Sequence, residues 1–174
     1  MELMLIGILS DTHDRFEMAG AAVQLLQSRG ASYFIHCGDV GSTRILDHLA
    51  GVPAAVVWGN MDFNRPALQQ YAEKLGVQFL GAFGELSLDG KRIAVLHGDD
   101  AGLRKRLVDQ QRHDYILQGH THEKADRKIG RIRLINPGAL HRASVKTVAL
   151  LETSADRVEF LQVEAPARLS GPRA

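Results

Sequence analysis

The sequence lacks most of the features that mark secreted, membrane-bound or nucleic-acid-binding proteins. Its single cysteine, Cys37, excludes an internal disulfide and is typical of a reducing compartment. The apolar run Leu3–Leu9 is too short for a signal peptide or a membrane span, and no basic segment precedes it. A net charge of +1 gives no general attraction to nucleic acids or acidic membranes. We therefore expect a cytoplasmic protein with no membrane association and no stable nucleic-acid complex, while a homo-oligomer remains open.

The composition itself is that of an ordinary globular protein. With 174 residues, of which 45% are hydrophobic and 24% charged, the chain is long enough to bury a substantial core. The last eleven residues, EAPARLSGPRA, carry proline and glycine, as frayed termini often do. We predict one domain over residues 1–163 and a frayed tail over residues 164–174.

The order of the apolar segments indicates the fold class. In the first half, apolar runs alternate with segments of helical periodicity, which is typical of parallel β-α units. The predicted strands there are Leu3–Leu9, Tyr33–His36 and Ala54–Trp58, and the predicted helices are Asp14–Arg29, a short helix after Ser42, and Asn64–Leu75. The second half predicts the strands Glu85–Leu88, Arg92–Leu96, Tyr115–Leu117, Ala125–Ile129, Ile132–Ile135, Thr147–Glu152 and Arg157–Val163, mostly as hairpins, with a helix over Leu103–Val108. This order favours an α/β fold of two packed mixed β-sheets flanked by helices.

Five of the apolar runs end in polar residues of one chemical type. The seven residues are Asp11, His13, Asp39, Asn60, His97, His120 and His122. In open α/β sheets, ligands bind beyond the carboxyl ends of the strands. We therefore expect these side chains to meet at one edge, although more than a hundred residues separate the first from the last.

The residue types in this set favour a metal centre. Carboxylate, amide and imidazole donors without thiolate suit Mn²⁺, Fe²⁺, Ni²⁺ or Zn²⁺. Seven ligands exceed what one catalytic ion with an open position needs, whereas two ions that share a bridging carboxylate would use them. A single Asp or His after a strand is more often a cap or a turn residue. Five such blocks in succession favour a two-metal site.

These motifs and their order resemble those of the calcineurin-like metallophosphoesterases. The motifs are Asp11-Thr12-His13, Gly38-Asp39, Gly59-Asn60, His97-Gly98 and Gly119-His120-Thr121-His122, and the resemblance spans roughly residues 3 to 138. The short length is similar to that of the compact bacterial and archaeal phosphodiesterases in this family. The resemblance implies a four-layer α-β-β-α sandwich.

The resemblance also implies roles for the seven residues. One metal ion would take Asp11, His13, His122 and a bridging Asp39, and the other would take Asp39, Asn60, His97 and His120. The two ions, with Mn²⁺ as the first choice, would present a hydroxide for in-line attack on phosphorus. Among these residues, Asn60 and His97 would also take part in catalysis.

The sequence departs from the family pattern at Met61. Many members carry a histidine here that assists at the phosphoryl oxygen or the leaving group, and a methionine cannot donate a proton. Asp62, which would hold that histidine, is assigned a catalytic role; it either orients a group of the site from behind or forms a helix-entry turn. Loss of the histidine favours small phosphodiesters with better leaving groups, with a phosphomonoesterase as an alternative.

Residues that contact the substrate are less strongly indicated. We assign this role to Asn60, His36 and Arg142. His36 either reaches the site or forms a hydrogen bond behind it, and Arg142 either lies near the substrate or belongs to a solvated loop.

A non-catalytic interaction scaffold, like the retromer subunit that resembles this family, is the rival hypothesis. Such a scaffold should have lost ligands, and none of the seven is missing.

Overall fold

The structure, a computed structural model, describes residues 4–166, which form eleven strands and four helices. The strands are β1 (Leu5–Leu9), β2 (Tyr33–His36), β3 (Ala54–Val56), β4 (Gln78–Phe79), β5 (Phe83–Leu88), β6 (Lys91–Leu96), β7 (Tyr115–Leu117), β8 (Ala125–Ile129), β9 (Ile132–Asn136), β10 (Thr147–Glu152) and β11 (Arg157–Gln162). The α-helices are α1 (Phe16–Ser28), α2 (Arg65–Leu75) and α3 (Ala101–Gln110), and Thr43–Leu49 forms a 3-10 helix.

The strands build two mixed sheets. The first has the order β11-β10-β1-β2-β3-β4, with β1 to β4 parallel and β10 antiparallel to β1. The second has the order β5-β6-β7-β9-β8, in which β6, β7 and β9 are parallel and β5 and β8 are antiparallel edges. Parallel strands at the centre of both sheets direct several carboxyl ends toward one side of the molecule.

Three hydrophobic cores separate four layers. Successive side chains of a strand point to opposite faces, and both faces are apolar here. In β1, for example, Leu9 packs against the helices while Ile6 and Ile8 pack against the second sheet. A third core lies between the second sheet and α3, around Leu107. The predicted α-β-β-α sandwich is therefore confirmed, and Cys37 lies in the core between the two sheets.

Local sequence signals set several of the element boundaries. Asp89 and Gly90 both have positive φ angles, of 50° and 71°, as a tight two-residue hairpin turn requires. The Asn64 side chain accepts a hydrogen bond from the Ala67 N–H and caps α2, and Gly76 ends that helix in the left-handed region.

Some predicted boundaries were wrong. Helix α1 begins at Phe16 rather than Asp14, because the chain takes left-handed conformations at residues 13 and 14. The strand predicted over Ala54–Trp58 ends at Val56, and the short segment after Ser42 is a 3-10 helix. Strand β4 was missed because it has only two residues, which is too short for a periodic pattern. Residue 3 of the first predicted strand and residues 167–174 of the predicted tail lie outside the described residues.

The helices of the described part are short. Within residues 4–166, none has the length and apolar character that crossing a membrane requires.

Candidate metal centre

Five loops meet at the carboxyl ends of β1, β2, β3, β6 and β7, and hydrogen bonds join them. In the first sheet, the Asp11 N–H donates to the Gly38 carbonyl oxygen at 3.0 Å. In the second, the Gly119 N–H donates to the His97 carbonyl oxygen at 2.8 Å. His97 also spans both sheets, because its Nδ1 lies 2.8 Å from the Cys37 carbonyl oxygen. The loops therefore form one connected unit.

The backbone of these loops is unusual. Of the ten non-glycine residues with positive φ in residues 4–166, half are predicted metal ligands: Asp11, His13, Asp39, His120 and His122. Such conformations cost of order 1–3 kcal/mol each and concentrate at functional sites. Hydrogen bonds from the neighbouring loops hold the backbone of Asp11, His13 and Asp39 in these conformations.

Two glycines make room for the buried carboxylates. A Cβ atom at Gly59 would lie 2.0 Å from Asp39 Oδ1, and one at Gly119 would lie 2.6 Å from Asp11 Oδ2. Both distances are far below van der Waals contact. These glycines are therefore required by close packing against the ligands and not only by the turns.

The nitrogen and oxygen atoms of these Asp and His side chains lie close together. Asp11, Asp39 and His97 are 0%, 3% and 1% exposed. His13 Nε2 lies 3.5 Å from Asp39 Oδ2, and His97 Nε2 lies 3.3 Å from the same oxygen. His122 Nε2 lies 3.1 Å from Asp11 Oδ1. Two overlapping clusters result, one of Asp11, His13 and His122 and one of Asp11, Asp39 and His97.

Hydrogen bonds fix which atom of each ligand stays free. The Met61 N–H donates to Asp39 Oδ1 at 2.8 Å. Ser10 Oγ and the His120 N–H donate to Asp11 Oδ2. Since a carbonyl oxygen only accepts, His97 Nδ1 carries the proton in its bond to Cys37, and Nε2 keeps its lone pair when the ring is neutral. The remaining atoms, Asp11 Oδ1, Asp39 Oδ2 and His97 Nε2, face the centre.

The electrostatics of the centre favour positive charge. Burial alone would raise the pKa of Asp11, but the nearby His13 imidazole, the hydrogen bond from Ser10 and the imidazoles of His97 and His122 lower it. Burial likewise opposes a charge on His97, yet Asp39 and Asp11 raise the pKa of that imidazole to about 9. The two carboxylates that stabilise the charged form of His97 also attract other cations.

Divalent cations fit this donor set. Three buried atoms, Asp11 Oδ1, His13 Nε2 and His97 Nε2, have no hydrogen-bond partner within residues 4–166. Buried polar atoms are almost always paired, so an unpaired group calls for an explanation. Oxygen and imidazole donors are the ligands that Mn²⁺, Fe²⁺, Ni²⁺ and Zn²⁺ accept. The two clusters are consistent with a dinuclear site.

Two of the predicted ligands lie outside the buried clusters. Asn60 and His120 are exposed at the rim, and the His120 ring centroid is 5.1 Å from that of His97. The side chains of both residues form no hydrogen bond in the described part of the chain. Their ligand roles stay predictions.

Asp62 lies behind the centre and joins two of its loops. The carboxylate is 1% exposed and accepts hydrogen bonds from three backbone groups: the N–H of Gly59 at 2.7 Å, of Val40 at 3.2 Å and of Gly41 at 2.9 Å. Both carboxylate oxygens therefore accept hydrogen bonds from the backbone of neighbouring loops. This placement favours the first of the two alternatives drawn from the sequence, and the assigned catalytic role of Asp62 stays a prediction.

His36 also lies behind the centre. It is fully buried, its Nδ1 accepts from the Gly38 N–H at 3.1 Å, and its Nε2 lies 3.0 Å from Thr12 Oγ1. Burial lowers the pKa of His36 to about 4, partly opposed by the nearby Asp62 and Asp11, so the ring is neutral at pH 7. Both ring nitrogens are occupied, so the assigned substrate contact does not fit, and the hydrogen-bonding alternative does.

Arg142 and His141 lie on the open side of the centre. Arg142 is exposed and lines a cavity of about 510 Å³ together with His122 and Lys124. His141 lies with its ring centroid 5.1 Å from that of His13, and its Nδ1 accepts from Arg15 Nε at 3.0 Å. The structure thus places Arg142 in a cavity that also contains His122, and its contact with a substrate stays a prediction. The contact of Arg15 with His141 was not anticipated.

Two supporting residues carried only weak signals in the sequence. Ser10 donates to Asp11 at 2.6 Å, and its position directly between a strand and a ligand was the available clue. Asn136 donates to the Gly119 carbonyl oxygen at 2.8 Å and to Thr121 Oγ1 at 3.0 Å, which fixes the loop that carries His120 and His122. No short sequence pattern shows such a contact, because it joins the end of β9 to the loop that follows β7.

Three known proteins are similar to this chain over most of its length. A phosphodiesterase of Methanocaldococcus jannaschii, MJ0936, is 25% identical over 165 residues, which cover 92% of this chain and 98% of that protein. A probable metallophosphoesterase of the same organism, MJ0623, is 32% identical over 169 residues, covering 90% and 79%. The solved structure of an archaeal phosphodiesterase superposes with a TM-score of 0.86 at 23% identity, over 92% of this chain and all of that one (100%), which shows the shared fold.

The family match covers most of the described residues. Residues 4–156 match the calcineurin-like phosphoesterase superfamily domain, a span that includes both clusters and all five loops. The chain therefore belongs to the calcineurin-like phosphoesterase superfamily.

Proposed function

We propose that this protein is a metal-dependent phosphodiesterase that works with two divalent cations. The observation that carries the proposal is the convergence of three buried, unpartnered ligand atoms: Asp11 Oδ1, His13 Nε2 and His97 Nε2. An unsatisfied buried polar group costs about 1–3 kcal/mol, so three at one point favour a site that a ligand completes. The two overlapping clusters support two ions rather than one.

The ligand assignments follow the clusters. Asp11, His13, His122 and a bridging Asp39 would hold one ion, and Asp39, His97, Asn60 and His120 would hold the other. Asp11, which both clusters contain, lies next to both groups of ligands. We expect Mn²⁺, although Fe²⁺, Ni²⁺ and Zn²⁺ accept the same donors. When bound, such ions activate water as a nucleophile and neutralise the charge that develops on the phosphoryl oxygens.

The chain fixes its ligands before a cation binds. Met61 holds Asp39 through the backbone, and the Cys37 carbonyl oxygen holds His97, so each side chain presents its free atom in one orientation. Pre-organisation of this kind lowers the cost of binding and positions reacting groups.

The adjoining cavity provides a place for the substrate. Arg142 and Lys124 line it beside His122, and they bring positive charge next to the proposed reaction centre. A guanidinium group presents donors that match two phosphate oxygens at once. This arrangement supports Arg142 as a contact to the non-reacting phosphoryl oxygens.

The side chain at position 61 favours diesters over monoesters. Met61 is 45% exposed beside the centre and has no proton to donate to a leaving group. General acid catalysis contributes roughly 10²–10⁴-fold, and its absence penalises poor leaving groups most. The name of the M. jannaschii phosphodiesterase, which is 25% identical, supports the same substrate class.

The test is metal-dependent hydrolysis of an activated aryl diester. The protein is stripped with a chelator and reloaded with Mn²⁺, and kcat/KM is measured on bis(p-nitrophenyl) phosphate and on p-nitrophenyl phosphate. We expect turnover only with metal, a higher kcat/KM for the diester, and loss of turnover in Asp39→Asn. Absence of metal-dependent turnover would favour the scaffold hypothesis, and a preference for the monoester would overturn the diester assignment alone.

A further inference from the structure

A second cavity lies outside the metal centre, between α3 and β8. It has a volume of about 420 Å³, which is within the range of small-molecule sites. In the register of the second sheet, Arg127 of β8 pairs with Leu134 of β9, which pairs with Ile116 of β7, so these side chains share one face. Helix α3 covers only part of that face, through Leu107 and its neighbours. The uncovered part forms a groove with an apolar floor.

The walls of the groove are positively charged. Four cations line it, Arg104, Lys105, Lys124 and Arg127, against one carboxylate, that of Glu123. Lys105 pairs with Asp109 at 2.5 Å, and Lys124 Nζ lies 5.5 Å from the centre of the Phe160 ring. Arg104 and Arg127 form no ion pair within residues 4–166. Because the chain as a whole carries a net charge of only +1, this concentration is local. Unpaired cations around a concave surface favour an anionic ligand.

The base of the groove contains an unpaired carboxamide. Gln118 follows β7 and is 4% exposed, and its Oε1 atom is buried without a hydrogen-bond partner in the described chain. The neighbouring Asn136 on the same face has its amide fully used by Gly119, Thr121 and Gly138. A carboxamide offers a donor and an acceptor side by side, which is the pattern that hydrogen-bonds to the edge of a nucleobase.

The groove continues into the cavity of the metal centre. Thr121, Glu123 and Lys124 line both cavities, and Thr121 lies between the predicted ligands His120 and His122. A ligand that is bound at the metal centre can therefore extend along Lys124 toward Gln118 without crossing the core.

We propose that the groove between α3 and β8 binds a nucleotide. This nucleotide is one ester arm of a substrate whose phosphodiester group lies at the metal centre. The base lies against the apolar side chains of Val108 and Leu134 with its edge at Gln118, and a phosphate is held by Arg104 and Arg127. This inference rests on the proposed phosphodiesterase activity and narrows its substrate class to nucleotide diesters.

Binding of AMP to the metal-free chain tests the groove by itself. The metal-free chain has no cation at the centre to hold a phosphate, and the variants Arg127→Gln and Gln118→Leu show whether saturable binding occurs in the groove. By calorimetry we expect AMP to bind more tightly than adenosine or inorganic phosphate. Arg127→Gln should weaken AMP roughly tenfold or more, because it removes a charged hydrogen bond. Gln118→Leu should weaken AMP by about threefold to tenfold while leaving phosphate binding unchanged.

The control is Arg112→Gln, which removes an exposed cation that does not line the groove. Thermal unfolding checks that Gln118→Leu folds, and Arg127→Gln, at an exposed position, tests the groove if it does not. NMR of the metal-free chain should show AMP-induced shifts at the Gln118 side-chain amide and at Ala125, and none at Gly90. Absence of saturable AMP binding, an equal effect of Arg112→Gln, or equal binding of phosphate alone would overturn the proposal.

Hydrolysis of bis(p-nitrophenyl) phosphate by the metal-loaded protein is measured in parallel. Turnover of this substrate without AMP binding overturns the nucleotide site and leaves the phosphodiesterase intact. AMP binding without turnover overturns the phosphodiesterase, and with it the assignment of the bound nucleotide as a substrate arm.

Discussion

The buried ligands of the metal centre and the ligands predicted at its rim are held in different ways. Asp11, Asp39 and His97 are almost inaccessible, and each is fixed by at least one hydrogen bond to another loop. Asn60 and His120 are exposed, and their side chains form no hydrogen bond in the described part of the chain. The buried side chains are therefore held in place by the fold, whereas we expect Asn60 and His120 to lose side-chain freedom when a cation binds.

The two groups of side chains should contribute unequally to the affinity for metal ions. A fixed carboxylate loses little conformational freedom when a cation binds, whereas an exposed side chain loses more. We therefore expect substitutions in the buried group to remove metal binding, and substitutions at the rim to alter it.

The largest effect is expected from Asp11→Asn, since Asp11 belongs to both clusters. Loss of residues that merely support a ligand costs about 10–100-fold in metal affinity, so loss of this ligand should exceed about 100-fold. Calorimetric titration with Mn²⁺ measures the change. Asp109→Asn, on the exposed face of α3, is the matched control and should bind Mn²⁺ as the unaltered chain does.

A smaller loss is expected from Asp62→Asn, which keeps the shape of the side chain. The amide cannot accept all the backbone bonds from Gly59, Val40 and Gly41, so the loops that carry Asp39 and Asn60 should loosen. We expect Mn²⁺ affinity to fall by about 10–100-fold, with kcat restored at saturating Mn²⁺. A kcat that stays low at saturation would instead return Asp62 to a catalytic role.

A rim substitution, His120→Ala, should affect one ion only. Because this side chain lies outside the buried clusters, we expect the stoichiometry to fall from two ions to one per chain. The affinity for the remaining ion should change by no more than a factor of about two, as for independent sites. Loss of both ions would show that the rim and the buried group act as one unit.

The smallest effect is expected from Met61→His, which adds a proton donor at the exposed edge without touching a ligand side chain. The ratio of kcat/KM for p-nitrophenyl phosphate to that for its diester should rise, by about tenfold at most, which lies below the full range of general acid catalysis. Met61→Gln serves as the control without acid function. An unchanged ratio would mean that protonation at this position does not limit monoester cleavage.

The sequence predicted most of the fold because the relevant signals are local. The alternation of apolar side chains in β1, the Asp89-Gly90 turn and the Asn64 cap are each contained in a few residues. Strand β4 has only two residues and depends on pairing with β3, so no periodicity could show it. Helix α1 began late because tertiary hydrogen bonds impose left-handed conformations on His13 and Asp14.

The candidate site likewise has features that the sequence predicted and features that depend on contacts between distant segments. The residue types and their order after successive strands were sufficient to predict a metal centre and its seven candidate ligands. For His36 and Asp62 the sequence left two alternatives open each, and only the folded chain places both residues behind the centre, since their hydrogen bonds join loops that follow other strands. The Arg15–His141 contact joins residues 126 positions apart and likewise has no local signature.

The amino-acid sequence alone therefore specifies the chemistry: which donors are present, in what order, and that position 61 carries no acid. The folded chain adds which atom of each donor is free, which polar residues hydrogen-bond to the ligands, and where a groove remains beside α3. The two differ in the distance along the chain over which the underlying interactions act. Strand periodicity and turn chemistry act between neighbours in the chain, whereas the bond from His97 to Cys37 spans 60 residues and forms only when the two sheets pack.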